Sequence, residues 1–404
     1  MIGRGRIIAD LNSKQRVIAT FSHKEPDRVP VSELYINSPV ASKILGRLAY
    51  TGWSGYIRCE VMSNMLMEGK AKEFYMQEVV DLVELYDKLE LDTILIERPP
   101  LANPTIPTVC GKHSWKYCND ETGIWNIDHY DPKTDLFHAR DSNFHHGGLE
   151  EFVRYVELLE QDPIDMDNWD WSQAQYIIDN CAKYKFVMAV VEIDFPPMSM
   201  GPLGGIFLEA LAFDPDICER YLDYRVRKGL KFIEKYAQMG VDCIFDGEDL
   251  AGNNGPLISP KSYSEIYAPR FCALSEKCHE KGLLYLRHTD GNIMKFADEF
   301  LLQSGFDGYQ SIDPSAGMDR VLIKKLYGDK ITLMGNVDCG KVLHLGTVED
   351  VVAETKQVIR ELSPGGGHIL SSSNTIHSDV PVENFMAMLE TARKYGEYPI
   401  RIDD

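Results

Sequence analysis

The feature that most constrains the fold is a repeated pattern in the second half of the chain. Downstream of residue 180, short hydrophobic runs end in polar residues, and a segment with helical periodicity follows each run. In the clearest case, residues 282–292, an apolar run breaks into His288, Asp290 and a Gly-Asn turn. Strand–helix alternation of this kind predicts a parallel sheet with right-handed crossovers, and about eight strands favour closure into a (β/α)8 barrel.

The first third of the chain departs from this rhythm. Residues 101–146 place two tryptophans, two tyrosines and several histidines between turn signals, which predicts a hairpin and lid inserted between barrel repeats. Upstream, we expect a helix capped by Ser13 and a first strand that starts at Pro30. The sequence therefore predicts one domain over residues 1–404, a TIM barrel with an N-terminal extension and a lid insertion.

Composition and motifs exclude several classes of protein. The formal net charge of −20 argues against nucleic-acid binding, because phosphates require a basic surface; it fits solubility or steering of a cationic ligand. Neither a G-x-G-x-x-G motif after a first strand nor a G-x-x-x-x-G-K-[ST] motif is present, so no dinucleotide or nucleoside triphosphate site is indicated.

The apolar runs and the cysteines point to a cytoplasmic protein. No run approaches the roughly 20 apolar residues that span a bilayer. The nine cysteines form no C-x-x-C pair and no zinc-finger spacing. Most of them therefore read as small buried hydrophobic residues in a reducing compartment.

Polar side chains follow the predicted strands and should meet at one mouth of the barrel. An imidazole, carboxylates and a thiolate that converge there could hold Zn²⁺ with an open coordination position. Such an ion binds and polarises a substrate oxygen or sulfur. The predicted rim residues are Asp194, Asp246, Glu248, Asp249, His288, Asp290, Gln310, Asp313, Asn336, Asp338, Cys339, Ser372, Asn374 and His377.

Each of the main candidates also has a purely structural explanation. The imidazole of His288 could hydrogen-bond a neighbouring backbone carbonyl, and Asp290 could cap the helix that follows it. Glu248 could cap or solvate its loop, and Cys339 could be a buried thiol. The spacing of these residues alone does not separate the two readings.

An ordered set of motifs resembles the uroporphyrinogen decarboxylase superfamily. The resemblance runs from about residue 12 to the end of the chain and implies a (β/α)8 barrel with its active site at the carboxyl ends of the strands. The motifs are the opening segment 14–30, Gly201-Pro-Leu-Gly-Gly, Asn254-Gly-Pro-Leu-Ile-Ser-Pro, His288-Thr-Asp-Gly-Asn, Gly335-Asn-Val-Asp, Ser372-Ser-Asn-Thr-Ile and Val382-Glu-Asn-Phe-Met-Ala-Met.

Within this superfamily the resemblance favours the cobalamin-dependent methyltransferases. Porphyrinogen decarboxylases carry an arginine-rich R-Q-A-G-R segment after the first strand, whereas residues 34–40 of this chain contain no arginine. An acidic rim would also repel a polycarboxylate. Residues 247–260 are most similar to the aryl ether O-demethylase subgroup. Members of that subgroup pass a methyl group from a methoxylated aromatic to a separate corrinoid protein, with zinc as the activator.

The resemblance also implies a set of site residues. Coenzyme M methyltransferases bind zinc through H-x-C and a later cysteine, but here Asp290 stands at the first cysteine position and Ser372 or a neighbour at the second. An oxygen-rich site suits an ether or alkoxide oxygen. The implied residues are His288, Glu248 and Cys339 as zinc ligands, with Asp290 as a further ligand candidate; His288, Asp290 and Asp246 as catalytic residues; and Phe245, Tyr263, Tyr309 and Asn374 as substrate-binding residues.

The resulting expectation is a zinc-dependent O-demethylating methyltransferase whose partner is a corrinoid protein. The substrate would be a small methylated compound, most simply an aromatic one, and the chain could form a homodimer. Alternatives are a methylcobamide-dependent enzyme for a thiol, an amine or another small methyl donor or acceptor, and a porphyrinogen decarboxylase. A non-catalytic corrinoid-binding or sensory barrel is a further alternative.

Overall fold

The computed structural model describes residues 11–98, 104–120, 122–191, 193, 195 and 201–402. The predicted rim residue Asp194 lies outside the described residues. In chain order the strands are β1 (Thr93–Ile96), β2 (Thr108–Gly111), β3 (Ser114–Cys118), β4 (Trp125–Asp131), β5 (Leu136–Ser142), β6 (Phe186–Val190), β7 (Cys243–Asp246), β8 (Ala251–Gly252), β9 (Gly255–Pro256), β10 (Leu284–His288), β11 (Gly308–Gln310), β12 (Thr332–Val337) and β13 (His368–Ser372).

Helices surround these strands, and three short segments are π-helical. The α-helices are α1 (Ser13–Phe21), α2 (Ser38–Leu45), α3 (Met62–Met67), α4 (Ala71–Lys88), α5 (Asn143–Gln161), α6 (Ser172–Cys181), α7 (Pro202–Phe213), α8 (Pro215–Met239), α9 (Pro260–Ser262), α10 (Ala268–Glu280), α11 (Arg320–Tyr327), α12 (Val342–Leu345), α13 (Val348–Leu362) and α14 (Val382–Tyr395). The π-helical segments are Tyr56–Val61, Tyr263–Tyr267 and Glu299–Gln303. Across the described residues, no helix is long and apolar enough to cross a membrane.

Seven parallel strands form one curved sheet in the order β1, β6, β7, β10, β11, β12 and β13. The predicted first strand closes it. Ser32 N donates to Leu370 O on β13 (2.9 Å), and Leu370 N donates to Pro30 O (2.9 Å). On the other edge, Asp92 N donates to Val31 O (2.8 Å). Residues 30–32 thus act as the eighth strand, and the predicted (β/α)8 barrel is confirmed.

Side chains along the barrel strands alternate between an inner and an outer core, as the pleat requires. The outer core packs against the helices and includes Ile94, Ile244 and Leu333. Residues that point into the barrel form a separate cluster. Its buried members from the strands and the first-strand segment are Leu34, Leu95, Phe186, Met188, Cys243, Phe245, Leu286, Met334 and Ile369.

Helix α1 closes the amino end of the barrel. Its Val17 and Phe21 join the inner cluster, and the Phe21 ring stacks on Phe186 with centroids 5.6 Å apart. Gly308 allows this approach, because a Cβ there would lie 2.7 Å from Leu286 Cδ1 and 3.1 Å from Phe21 Cε1. The amino end is therefore filled with apolar side chains, which leaves the carboxyl end for a functional site.

The N-cap of α1 differs from the prediction. Asn12, rather than Ser13, caps the helix: its Oδ1 accepts from Gln15 N (2.9 Å), and Gln15 Oε1 accepts from Asn12 N (3.1 Å). This reciprocal pair satisfies two backbone donors at once, whereas a cap at Ser13 would satisfy one. The helix therefore begins at Ser13 instead of after it.

The predicted lid forms a four-stranded antiparallel sheet, β2–β3–β4–β5. Asp135, at the tip of the β4–β5 hairpin, attaches this sheet to the barrel. Its carboxylate accepts from Ser54 Oγ (3.1 Å) and Ser378 Oγ (2.5 Å), and its carbonyl accepts from Gly55 N (2.8 Å). Because Ser378 follows the carboxyl end of β13, the antiparallel sheet lies at the mouth of the barrel.

Asp92 links the first-strand segment, residues 30–32, to the start of β1 where the barrel closes. It is fully buried, and its carboxylate accepts from Arg16 Nη1 (2.7 Å), Arg28 Nη1 (2.7 Å) and Val31 N (2.8 Å). We predict that Asp92→Ala destabilises the fold by about 3 kcal/mol, because Arg28 loses its buried counterion and Val31 N its acceptor, while Arg16 keeps Asp27 as a partner. Urea unfolding would measure the loss.

Glu160→Ala is the matched control for this substitution. It removes the partner of Arg220 in a largely exposed ion pair, which should cost less than about 1 kcal/mol. Equal unfolding midpoints for the two variants would contradict the role given to Asp92.

Candidate active site at the barrel mouth

His288 ends β10 and points into the barrel with 8% of its surface exposed. Its Nδ1 hydrogen-bonds Gln310 Oε1, while Gln310 Nε2 donates to the carbonyls of Ser372 (3.3 Å) and Ser373 (3.1 Å). Because the Gln310 amide nitrogen faces carbonyls, its oxygen faces the imidazole, and Nδ1 must carry the proton. Nε2 is therefore left to face the mouth.

Two aspartates meet Nε2 of His288. Asp249 Oδ1 lies 3.4 Å away and Asp290 Oδ1 lies 3.7 Å away. One ligand atom from each of the three residues lies within 4.8 Å of the other two. The two acids are joined by Asp290 N, which donates to Asp249 Oδ1 (2.8 Å). We call Asp249, His288 and Asp290 the mouth trio.

Asp290 has one oxygen that is held and one that is not. Its Oδ2 accepts from Asn374 Nδ2. Its Oδ1 is buried and has no hydrogen-bond partner among the described residues. A buried carboxylate oxygen without a donor is costly, and such atoms are usually satisfied by water or an ion. The free oxygen of Asp290 is also the one that faces His288.

The trio holds one positive charge between its acids. Burial lowers the pKa of His288, but the Asp290 and Asp249 carboxylates outweigh burial and raise it to about 9. Burial also raises the pKa of Asp290, although the charge of His288 opposes it. For Asp249, the hydrogen bond from His288 overcomes burial and lowers the pKa. A cation bound here would replace the Nε2 proton.

The donor set fits a zinc ion with an open position. Adjacent ligands of tetrahedral Zn²⁺ with bonds of about 2.1 Å lie about 3.4 Å apart, close to the two separations from Nε2. One imidazole nitrogen and two carboxylate oxygens supply three ligands and leave a fourth position for a substrate atom. The Gln310 hydrogen bond orients the ring, as outer hydrogen bonds commonly do for metal-binding histidines.

The trio differs in composition from the predicted ligand set. His288 belongs to both, but Asp249 contacts it where Glu248 was predicted, and Asp290 contacts it rather than Cys339. Periodicity could not choose between Glu248 and Asp249, because both acids lie in the irregular loop after β7. The adjacency of three acids in residues 246–249 was the available signal.

Asp246 was predicted as a catalytic residue, and the structure places its carboxylate behind the mouth trio. It accepts from Tyr285 Oη (3.2 Å) and lies 3.4 Å from Nε of the fully buried Arg287. Arg287 Nη1 donates to His288 O (2.6 Å), and Nη2 donates to Glu248 O. Asp246 therefore positions an arginine that ties the loop after β7 to the backbone of His288.

Glu248 and Cys339 lie near the trio and differ in their protonation. Burial, with help from the Asp246 charge, raises the pKa of Glu248 to about 7. Burial raises the pKa of the Cys339 thiol to about 11, and the charge of Asp290 adds to this. At neutral pH Glu248 can therefore donate or accept a proton, while Cys339 stays a neutral thiol.

The four predicted substrate-binding residues divide into two pairs. Phe245 points inward, with its ring centroid 6.4 Å from that of His288, and Asn374 holds Asp290. Tyr263 and Tyr309 are fully buried in the outer core. Tyr263 Oη pairs with Ser304 Oγ (2.5 Å), and Tyr309 Oη donates to the Thr289 carbonyl (3.3 Å). The structure does not bring these two tyrosines to the mouth.

Comparison with known proteins agrees with the fold and with the superfamily. The family model described as "Uroporphyrinogen decarboxylase (URO-D)" matches residues 206–395, just under half of the chain. A solved structure described as a methyltransferase from Methanosarcina mazei aligns over 96% of this chain and 99% of its own, with a TM-score of 0.62 and 14% sequence identity. At that identity the likeness establishes the fold alone.

Two kinds of curated relative match the chain. The methylcobamide:CoM methyltransferase MtaA of Methanosarcina barkeri is 24% identical over 180 residues, which cover 45% of this chain and 50% of the relative. A uroporphyrinogen decarboxylase of Coxiella burnetii is 20% identical over 211 residues, or 49% and 54%. The chain thus spans about half the length of these relatives. The resemblance to the superfamily and to its cobalamin-dependent methyltransferase branch is confirmed.

The trio and the predicted ligand set make different predictions for metal content. We expect Asp249→Asn and Asp290→Asn to weaken zinc binding at least about tenfold, because each removes an anionic ligand facing Nε2. Glu248→Gln and Cys339→Ser should keep zinc near the level of the unmodified protein. Elemental analysis after dialysis against a series of zinc buffers would measure this. Loss of zinc in the second pair with retention in the first would overturn the trio.

Proposed function

We propose that this chain, which is similar to the cobalamin-dependent methyltransferases, moves a methyl group from a methoxylated aromatic compound to the cobalt of a separate corrinoid protein, with zinc as its activator. The observation that carries the proposal is the mouth trio. Three converging ligand atoms, one of them the unpartnered Oδ1 of Asp290, surround a position at the open end of the barrel. Bound there, Zn²⁺ would supply a Lewis acid for the ether oxygen.

The protein groups around the trio would hold it in a productive arrangement. Gln310 fixes the proton of His288 on Nδ1, so Nε2 faces the mouth throughout the reaction. Asn374 holds Oδ2 of Asp290 and leaves Oδ1 free. Arg287 links the His288 carbonyl to the loop that carries Asp249. Such support reduces the reorganisation needed when charge develops on the substrate oxygen.

Glu248 is the proposed proton donor to the leaving oxygen. Aryl ether cleavage releases a phenolate, which is a poor leaving group until its charge is offset. A carboxyl group whose pKa is about 7 is half protonated at neutral pH and is well matched to proton transfer. The charge of Asp249 contributes to the raised pKa of Glu248, so this acid lies within electrostatic reach of the trio.

The donor chemistry supports an oxygen substrate over a thiol. A thiol substrate is usually activated as a thiolate by a soft, sulfur-rich zinc site. The trio contains no sulfur, and the Cys339 thiol keeps its proton at neutral pH. With carboxylate and imidazole ligands, a zinc ion bound by the trio would be harder and would polarise an ether oxygen more effectively than one in a sulfur-rich site.

Methyl transfer can be tested with free cob(I)alamin as the acceptor. We expect a mixture of zinc-loaded protein, cob(I)alamin and either 2-methoxyphenol or 4-hydroxy-3-methoxybenzoate to yield methylcobalamin and the corresponding demethylated phenol. Chromatography would detect the phenol, and the absorbance spectrum of the cobalamin would detect its methylation. His288→Ala should abolish both products. Methylamines and methyl thioethers, tested in the same assay, address the alternative methyl donors. A separate assay with uroporphyrinogen addresses the decarboxylase alternative. Turnover of one of those compounds without any phenol formation would overturn the aryl ether proposal.

The role of Glu248 predicts the pH dependence of this reaction. Since the protonated carboxyl is the active form, the rate should fall as pH rises through the pKa that this carboxyl has in the zinc-loaded protein. Glu248→Gln should lower the rate roughly 10²–10⁴-fold and remove that limb of the profile. Initial rates between pH 5.5 and pH 9 would measure this pH dependence. The zinc content of each purified protein, determined without a corrinoid protein present, is the control for folding. An unchanged limb in Glu248→Gln would assign the titration to another group.

A further inference from the structure

A second group of charged side chains is buried at the carboxyl end of β1, next to the mouth. Glu97 follows β1 directly and is 5% exposed. Arg58 lies in the π-helical segment Tyr56–Val61 and is 3% exposed, and Glu78 of α4 is 3% exposed. Arg98 is half-buried beside them. We call Arg58, Glu78, Glu97 and Arg98 the β1 cluster.

One carboxylate serves both arginines of the cluster. Arg58 Nη1 donates to Glu78 Oε1 (2.6 Å), and Arg98 Nε donates to the same oxygen (3.1 Å). Arg58 Nε donates to Gly52 O (2.8 Å). The guanidinium group of Arg58 also lies over the Trp53 ring at 4.9 Å. Both arginines are therefore held in place, and each has N–H groups that these partners do not bind.

The remaining polar atoms of the cluster are buried around the Glu78 carboxylate that the two arginines share. Arg58 Nη2 and Arg98 Nη2 are buried and have no hydrogen-bond partner among the described residues, and both carboxylate oxygens of Glu97 are buried with no partner other than the nearby backbone N–H of Gly52. Arg58 Nη2 and Glu97 Oε2 are 3.8 Å apart, too far for a hydrogen bond. Two guanidinium donors and a carboxyl group thus remain available to the same ligand.

The charge of the cluster favours an anion. Burial raises the pKa of Glu97 to about 8, although the Arg58 charge opposes this, so most Glu97 is neutral at pH 7. Two guanidinium groups then face the single charge of Glu78. A ligand with one negative charge would balance the cluster, and a planar carboxylate matches the fork geometry of arginine.

The cluster shares the barrel mouth with the trio. Glu97 and Glu248 follow β1 and β7, whose carboxyl ends lie at the same end of the barrel. Burial raises the pKa of Tyr35, and the charges of both Glu97 and Glu248 raise it further, so this tyrosine lies within electrostatic reach of each. The Tyr35 ring meets Trp53 edge-on at 5.8 Å. Aromatic surface therefore adjoins the cluster on the side of Tyr35.

We propose that Arg58 and Arg98 bind a carboxylate on the substrate, which makes that substrate a methoxylated aromatic acid. This proposal rests on the proposed function. The ether oxygen of the substrate meets the trio, and the β1 cluster binds the carboxylate elsewhere on the same molecule. Glu97 hydrogen-bonds the same carboxylate. The aromatic ring then lies between the cluster and the trio, alongside Tyr35.

Binding by calorimetry, without any corrinoid, tests the assignment independently of turnover. The ligands are 4-hydroxy-3-methoxybenzoate and its uncharged counterpart 2-methoxyphenol. We expect the acid to bind at least roughly tenfold more tightly, the effect of one charge-assisted hydrogen bond or more. Arg98→Gln should remove most of that preference and change the affinity for 2-methoxyphenol by less than about twofold.

Two further variants keep the test decisive. Arg58→Lys retains the buried charge opposite Glu78 but loses the forked donor, so it should also reduce the preference for the acid. Arg220→Gln is the control: it removes an exposed arginine that pairs with Glu160 on the outside of the barrel and should leave both affinities unchanged. Thermal unfolding of each variant establishes that it is folded.

The outcomes separate this inference from the proposed function. Equal affinity for the two ligands, or a preference for the acid that survives in both Arg98→Gln and Arg58→Lys, would overturn the carboxylate site. Arginine-dependent binding of the acid with no phenol formed from it would support the site and count against the demethylase. Phenol formed equally well from both compounds, with equal affinities, would support the demethylase and overturn the carboxylate site.

Discussion

The pairing of residues 30–32 with both edges of the seven-stranded sheet is the constraint on which the rest of the structure depends. These residues bond β13 on one side and accept from Asp92, just before β1, on the other. The carboxylate of Asp92 reinforces the junction with two arginines and Val31 N. Closure brings the ends of β7 and β10 across the mouth from the ends of β13 and of residues 30–32. Asp290, which follows β10, and Asn374, which follows β13, meet at this mouth.

The hydrogen bond between Gln310 and His288 has a comparable role within the site. It decides which imidazole nitrogen faces the acids, and it does so from the neighbouring strand, where residues 288 and 310 are direct partners. The same glutamine contacts the carbonyls after β13. Three strands thus contribute to the orientation of a single ring, which is more rigid than support from a loop would be.

Much of the fold was predictable because its signals are local. Runs such as residues 186–193 and 331–335 predicted strands, and the break at His288 predicted a strand end at the mouth. Tyr263 and Tyr309 show the limit of this reasoning. Tyr309 precedes the inward-facing Gln310 by one residue and therefore points to the opposite side of the sheet. Tyr263 lies in a π-helical segment within the helix that the sequence predicts over residues 260–281, and it packs on Phe296 instead of facing the mouth.

The choice between Glu248 and Asp249 could not be made from sequence for a related reason. Both lie in a loop without a repeating period, so their directions depend on tertiary bonds such as the one between Asp290 N and Asp249. The β1 cluster could not be predicted from the sequence either, because it too depends on tertiary packing. Arg58 and Glu97 are far apart in the chain, and only the packing of residues 52–61 against the end of β1 brings them together.

The apolar plug supplied by helix α1 has a consequence for the order of events at the site. With Val17 and Phe21 filling one end of the barrel, the described residues leave the opposite end as the route by which a small molecule reaches the mouth trio. Under the proposed function, a corrinoid protein seated over that opening would block the same path. A small ligand would then have to arrive before the partner docks and depart after it has left, so the two binding events would follow a fixed order.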